Sequence, residues 1–232
     1  MQRLGERYLL VDAVCITQNS DEDRALQIGA MNIIYGAAYL TLVAAGGEDS
    51  ESPIPRSHPE SRHKLNQLIV PVSGVRTTRP LARLRDLEIY RGLTPKWFTR
   101  GWTYQERQLS TRLLVFTLHQ VFFQCRKGDF REDQRWEQHT ETPITDRAGR
   151  LGNQLPQPRR DPELFFMPRY AKFVENYTEH DLTLDSDALN AFMGVGTVLS
   201  EVYGEPYRLN FELPGPFFEE ALTWQPARWC RW

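Results

Sequence analysis

Ala25–Gly47 reads ALQIGAMNIIYGAAYLTLVAAGG and carries no charge between Arg24 and Glu48. On length alone the run matches a bilayer span. Its interior argues otherwise: Gln27, Asn32 and Thr41 are polar, Gly29 and Gly36 divide it, and its apolar rhythm changes midway. Ile28, Met31, Tyr35 and Ala38 return at helical spacing, which predicts a helix from about Asp21 to Ala37 with one apolar face. The second half, YLTLVAA (Tyr39–Ala45), has no helical period and reads as a buried strand. A helix that delivers a strand is a unit of an α/β core, whose central elements are apolar on most sides without any membrane.

Working outward, YLLVD (Tyr8–Asp12) reads as a short buried strand ending on a carboxylate. Ser20 and Asp23 have the spacing of a helix N-cap and its reciprocal partner. Gly46–His63, with Pro53, Pro55 and Pro59, reads as a surface loop, and QLIVPV (Gln67–Val72) as a third, edge strand. Residues 80–91 look helical. TPKWFTRGW is a turn into a helix across Trp102–Leu109, and LLVFTL followed by VFFQCR predicts a β-hairpin. Residues 143–162 hold four prolines and two glycines and mark a boundary. Beyond it Glu163–Asp181, Asp185–Val202 and Pro216–Thr223 read as amphipathic helices. The expected organisation is a core over 1–142, a linker over 143–162 and a helical extension over 163–232.

The 232 residues are 41% hydrophobic and 25% charged, with 12 Phe, 9 Tyr and 6 Trp, which excludes a disordered chain. A net charge of -2 argues against a nucleic-acid coat or a polybasic membrane binder. The charge is uneven: residues 1–52 carry 3 basic and 8 acidic groups, and residues 53–112 carry 12 and 4. The basic middle is either a solvated face or the mark of a phosphate-bearing ligand or partner. The early run YLLV ends at Asp12, short of the roughly 7–15 apolar residues of a secretory signal. Cys15, Cys125 and Cys230 are few and widely separated, suggesting neither disulfides nor a metal site. A cytoplasmic protein is expected.

No familiar catalytic or phosphate-binding motif is present. Gly194-Val-Gly196 falls inside a predicted helix with no strand before it, so it lacks the dinucleotide-binding context. Cys15 is either an inert buried thiol or a nucleophile, and no base is in view. Asp12 either caps the backbone of the next loop or meets ligand hydroxyls or a cationic group. In RGWTYQERQLS, Thr103 and Glu106 form T-x-x-E, a capping box. Arg100 and Glu106 at that helix start could also flank a phosphate–ribose ligand.

These segments together resemble the fungal heterokaryon-incompatibility (HET) domain. Its pattern of strand, D-x-x-C-I-x-Q, acidic turn and M-x-x-I-Y-x-x-A is matched by Asp12, Cys15, Ile16, Gln18, Met31, Ile34, Tyr35 and Ala38. The next block, R-x-W-T-x-Q-E-x-x-L-S-x-R, is matched by Arg100, Trp102, Thr103, Gln105, Glu106, Leu109, Ser110 and Arg112. The family's usual first block, Y-x-x-L-S-Y-x-W-G, has no counterpart before Arg7, so the chain resembles a member truncated at its N-terminus.

The resemblance implies fungal nonself recognition and programmed cell death signalling, with other HET or receptor-type proteins as partners. HET domains are in turn distantly similar to TIR domains, which implies a flavodoxin-like α/β core with a mostly parallel sheet. Some TIR domains cleave NAD with a glutamate four residues after a tryptophan, the spacing of Trp102 and Glu106. By that analogy Glu106 is the catalytic candidate, and Asp12, Arg100, Trp102 and Gln105 are ligand-binding candidates. Cys15, Gln18, Met31 and Tyr35 are family-motif structural positions. NAD is then a candidate substrate, with no metal or resident cofactor expected. The opposing reading is a non-enzymatic interaction module, a degenerate or truncated paralogue.

Overall fold

The computed structural model describes residues 5–17, 19–47, 49, 51–55, 69–73, 75–78, 94–125, 128–132, 162–205, 207–210 and 213–223. Gln18, the predicted helix over 80–91 and the predicted linker up to residue 161 lie outside them.

Two helices, α2 (Asp21–Gly29) and α3 (Met31–Ala37), occupy the place of the single helix expected there. The break falls at Ala30, at φ -99° and ψ 4°, just after Gly29, whose backbone freedom weakens a helix interior. The predicted inward face holds: Met31 is buried, and Ile28, Tyr35 and Ala38 are half-buried. Ser20 caps α2 by accepting from the Asp23 N–H at 3.2 Å. The Asp23 carboxylate accepts instead from the Thr17 N–H at 2.8 Å, extending the cap one turn further back.

Strand β1 (Thr41–Ala44) follows, as its apolar run predicts, but of its residues only Val43 is buried and Leu42 is 44% exposed, which corrects the expected buried strand. It pairs in parallel with β4 (Leu113–Phe116), and Thr41 sits opposite Leu113. The predicted hairpin is present: β4 runs antiparallel to β5 (Val121–Cys125), and β6 (Gly128–Arg131) extends the sheet. The order β1-β4-β5-β6 thus contains one parallel and two antiparallel pairs. The expected mostly parallel sheet is corrected to a mixed, mostly antiparallel one, because hairpin-length connections force neighbours to run in opposite directions. Among the described strands Ile69–Val72 (β2) pairs only with Val75–Thr78 (β3), a separate hairpin turned at Ser73 with φ 50°.

Tyr8–Val11 is a second correction. The residues expected to form a buried strand pair with no described strand, and Asp12–Cys15 (α1) is a single helical turn. Tyr8 is 80% exposed and Val14 82%, and Cys15 is exposed rather than buried. An apolar run becomes a strand only where a neighbouring edge accepts its hydrogen bonds.

A 3-10 turn over Lys96–Thr99 leads into α4 (Gly101–Leu109). Phe98 joins Val43, Ala45, Leu113, Val115 and Phe122 in a small core on one sheet face, with Trp97 against its edge. The larger core lies on the other side of α4. It is formed with α5 (Pro162–Thr178), α6 (Ala188–Tyr203) and α7 (Phe218–Leu222), the helices expected from the C-terminal periodicity. Phe166 is fully buried there, ringed by Tyr170, Tyr203, Tyr207 and Phe217. The small hairpin β7 (Leu209–Asn210) and β8 (Leu213–Pro214) closes that side.

Gly194 explains how α4 and α6 approach so closely. A Cβ there would lie 2.6 Å from Gln105 Oε1 and 2.9 Å from Leu109 Cδ1. The Gly-Val-Gly of the sequence is therefore a helix-packing notch. Tyr104 ties α4 to α5 by donating its hydroxyl to the Phe173 carbonyl at 2.9 Å.

Candidate functional site

The start of α4 is held from two sides. Arg100 and Asp181 form a parallel backbone bridge. The Gly101 N–H donates to the Asp181 carbonyl at 2.8 Å, and the Asp181 N–H to the Thr99 carbonyl at 2.6 Å. A side chain at Gly101 would run into Leu182, whose Cγ would lie 2.9 Å from its Cβ. Glycine at position 101 thus leaves room for the Leu182 side chain against the start of α4.

The capping box expected of Thr103 and Glu106 is not formed. Thr103 lies inside the first turn, and its hydroxyl donates to the carbonyls of Arg100, at 2.8 Å, and Trp97. The N-cap is Arg100, and its side chain makes no capping hydrogen bond. Glu106 is consequently freed from a capping duty.

Glu106 faces Asp12 from α1, Tyr35 from α3, and Trp97 and Arg100 from the turn before α4. The Tyr35 hydroxyl and the Trp97 indole lie beside its carboxyl and favour its charged form. Desolvation and the negative charge of Asp12 disfavour ionisation, while Arg100 and the polar groups of Trp97 and Tyr35 favour it. Desolvation dominates, and the Glu106 carboxyl is pushed up to about 7. The Tyr35 hydroxyl is raised too, first by burial and then by the charges of Glu106 and Asp12, so it stays a donor throughout the physiological range. A carboxyl poised near neutrality, between an arginine, an indole and a phenol, can accept or release a proton and can attract a cationic ligand group.

Asp12, Tyr35, Arg100 and Glu106 are therefore brought together. Asp12 and Arg100 are exposed at the rim, and Glu106 is half-buried. Trp102 turns the other way, its indole N–H donating to Asp187 at 3.3 Å beside the start of α6. Gln105 is 1% exposed and faces the α6 notch with no hydrogen-bond partner at Oε1. Met31 is a core residue at the start of α3. Cys15 accepts from the Val11 N–H at 3.4 Å within its own turn. Trp97 is the site residue that the sequence reading passed over, placing it only in a turn. An aromatic N–H donor shortly before a motif carboxylate was its one visible signal.

Among the described residues no group of His, Cys, Asp and Glu has the makings of a metal site, and no helix is long and apolar enough to cross a membrane.

The fold and site define a mixed α/β protein in which a helix-borne glutamate is approached from α1, α3 and the turn before α4. Residues 1–106 match the family described as "Heterokaryon incompatibility protein (HET)", the match ending on Glu106 itself. Over that stretch the chain is similar to HET-domain proteins. No curated protein and no solved structure matches it.

Proposed function

We propose that this chain is a HET-domain protein acting in fungal nonself recognition and programmed cell death signalling in the cytoplasm, and that Glu106 is the carboxylate of a TIR-like NAD-cleaving site. The observation that carries the reading is the convergence of Asp12, Tyr35, Arg100 and Glu106 from three sequence-distant segments. A TIR-like core is supported, more weakly, by the parallel β1–β4 pair.

In the proposed reaction the N-glycosidic bond breaks heterolytically and its electron pair passes to the nicotinamide nitrogen. Neutral nicotinamide leaves, and the ribosyl oxocarbenium is held by the Glu106 carboxylate until water adds and a proton is lost. One carboxylate near developing positive charge is the device of glycoside hydrolysis. The cationic nicotinamide ring itself favours the ionised form of Glu106 on binding. Arg100, exposed at the rim, meets the pyrophosphate, and Trp97 offers a ring for stacking.

Incubating purified protein with NAD and following nicotinamide release tests the reading. Release by the wild type that is lost in a folded Glu106→Ala variant is expected. The value of kcat/KM should rise with pH and level off above about 7, where the free site is ionised. No release at high protein concentration would refute catalysis.

The second reading, a non-enzymatic module that associates with other HET or receptor-type proteins, is favoured by one feature. Tyr8, Leu9, Leu10, Val11 and Val14 form an exposed apolar run beside the motif residues.

A further inference from the structure

Strand β1 ends its sheet: it pairs with β4 on one side and with no described strand on the other. The Thr41 N–H donates to the Arg112 carbonyl at 3.0 Å. Backbone groups alternate sides along a strand, so the N–H and C=O of Leu42 and Ala44 point to the open side. The side chains of both are exposed, and the chain from Ala25 to Gly47 carries no charge. The opposite end of the sheet differs. There β6 and the residue after it bring Asp129, Arg131 and Glu132, the kind of charge that keeps an open edge from pairing.

The same chain carries an unpaired, extended apolar segment. Tyr8, Leu9, Leu10 and Val11 are all exposed, Val11 lies at φ -128° and ψ 114°, and no described strand pairs with the run. An open edge and an unpaired strand on one molecule complete each other in a pair of molecules. Charge sets the direction. In antiparallel alignment the Asp12 end of the run meets the Thr41 end of β1, where Arg112 lies exposed over the Tyr39 ring, 5.1 Å from its centroid. Parallel alignment would bring Arg7 towards Arg112 instead. With Leu10 opposite Leu42 and Tyr8 opposite Ala44, these four side chains share the exposed sheet face. Leu9 and Val11 then extend the face on which Val43 enters the small core.

We propose that this chain forms a two-fold dimer in which Tyr8–Val11 of each copy adds antiparallel to the open β1 edge of the other. Each copy gives one strand and receives one, so the two contacts close on themselves and cover both the edge and the apolar run. The dimer rests on reading that run as an interaction surface, names a second copy as what covers it, and is independent of NAD cleavage.

Sedimentation equilibrium of the full chain over a range of concentrations reads the dimer. Leu42→Pro removes the outward N–H of β1 and leaves the inward bonds of Thr41 and Val43 to β4 in place. Leu10→Lys puts a charge into the added strand, at an exposed position where folding is not at stake. Each should raise the dissociation constant by about tenfold or more, since each loss occurs twice in the dimer. Leu10→Cys chains mixed with Leu42→Cys chains, both also carrying Cys15→Ser, should cross-link on oxidation through positions 10 and 42, located by mass spectrometry of the linked peptides. A dimer unchanged by both Leu42→Pro and Leu10→Lys overturns the proposal. So does a link that forms only within single chains carrying both cysteine substitutions, because the run then closes on its own sheet. A monomer at every concentration also overturns it while leaving the wider module reading, which is tested separately by association of the wild type with other HET or receptor-type proteins.

Discussion

Replacing Glu106 with Gln keeps the side chain's shape and removes its ionisation, which makes the energetic consequence of burying this carboxyl measurable. In the unfolded chain the group loses its proton near its ordinary value of 4.5, whereas in the fold it holds it to about 7. The folded value is the higher one, so the wild type is at its relative best below pH 4.5. It then loses stability as the pH rises through 7. A shift from 4.5 to about 7, at about 1.4 kcal/mol per unit, corresponds to about 3 kcal/mol. That is a large part of the 5–15 kcal/mol, roughly, that holds a domain folded. Urea denaturation of both proteins between pH 4 and pH 8.5 reads the effect. The two should have similar stabilities at pH 4, and the variant should gain by about 3 kcal/mol by pH 8, with most of the change between 4.5 and 7. Parallel stability curves for the two proteins, or a variant that falls below the wild type at pH 8, would refute the account of Glu106 as a desolvated, proton-retaining group.

Three other outcomes follow from the packing. Gly194→Ala drives a methyl group into Gln105 and Leu109, and the overpacking should lower stability by about 1–3 kcal/mol, read as a reduced urea midpoint. Phe166→Ala empties the centre of the larger aromatic cluster and should cost about 3–5 kcal/mol in the same assay. Cys15 is exposed and Cys125 half-buried, so a thiol reagent should modify Cys15 in the folded protein well before Cys125. Protection of Cys15 until denaturation would show that the first helical turn is covered.

The local elements were legible where a single physical rule governs them. The inward face of α2 and α3 followed from helical spacing, and β1, β4 and β5 from short apolar runs. The three C-terminal helices followed from amphipathic periodicity. The misreadings have two causes, a pairing partner remote in the chain and a helix that starts earlier than its spacing suggests. YLLV has the composition of a strand but pairs with no described edge, and T-x-x-E has the spacing of a capping box although Thr103 already lies inside the helix.

For the site, the sequence alone determined the resemblance to a family and the identity of its polar residues, because those are carried by residue types at fixed spacing along one strand, turn or helix. Asp12, Tyr35, Arg100 and Glu106 could all be named from it. Which of them meet is a question of packing between elements tens of residues apart, and tertiary structure alone decided it. It brought Tyr35 and Trp97 beside Glu106, and it sent Trp102 to Asp187 and Gln105 into the α6 notch. Burial of that carboxyl, and with it a proton affinity near neutrality, exists only once α1, α3 and α4 close around one another.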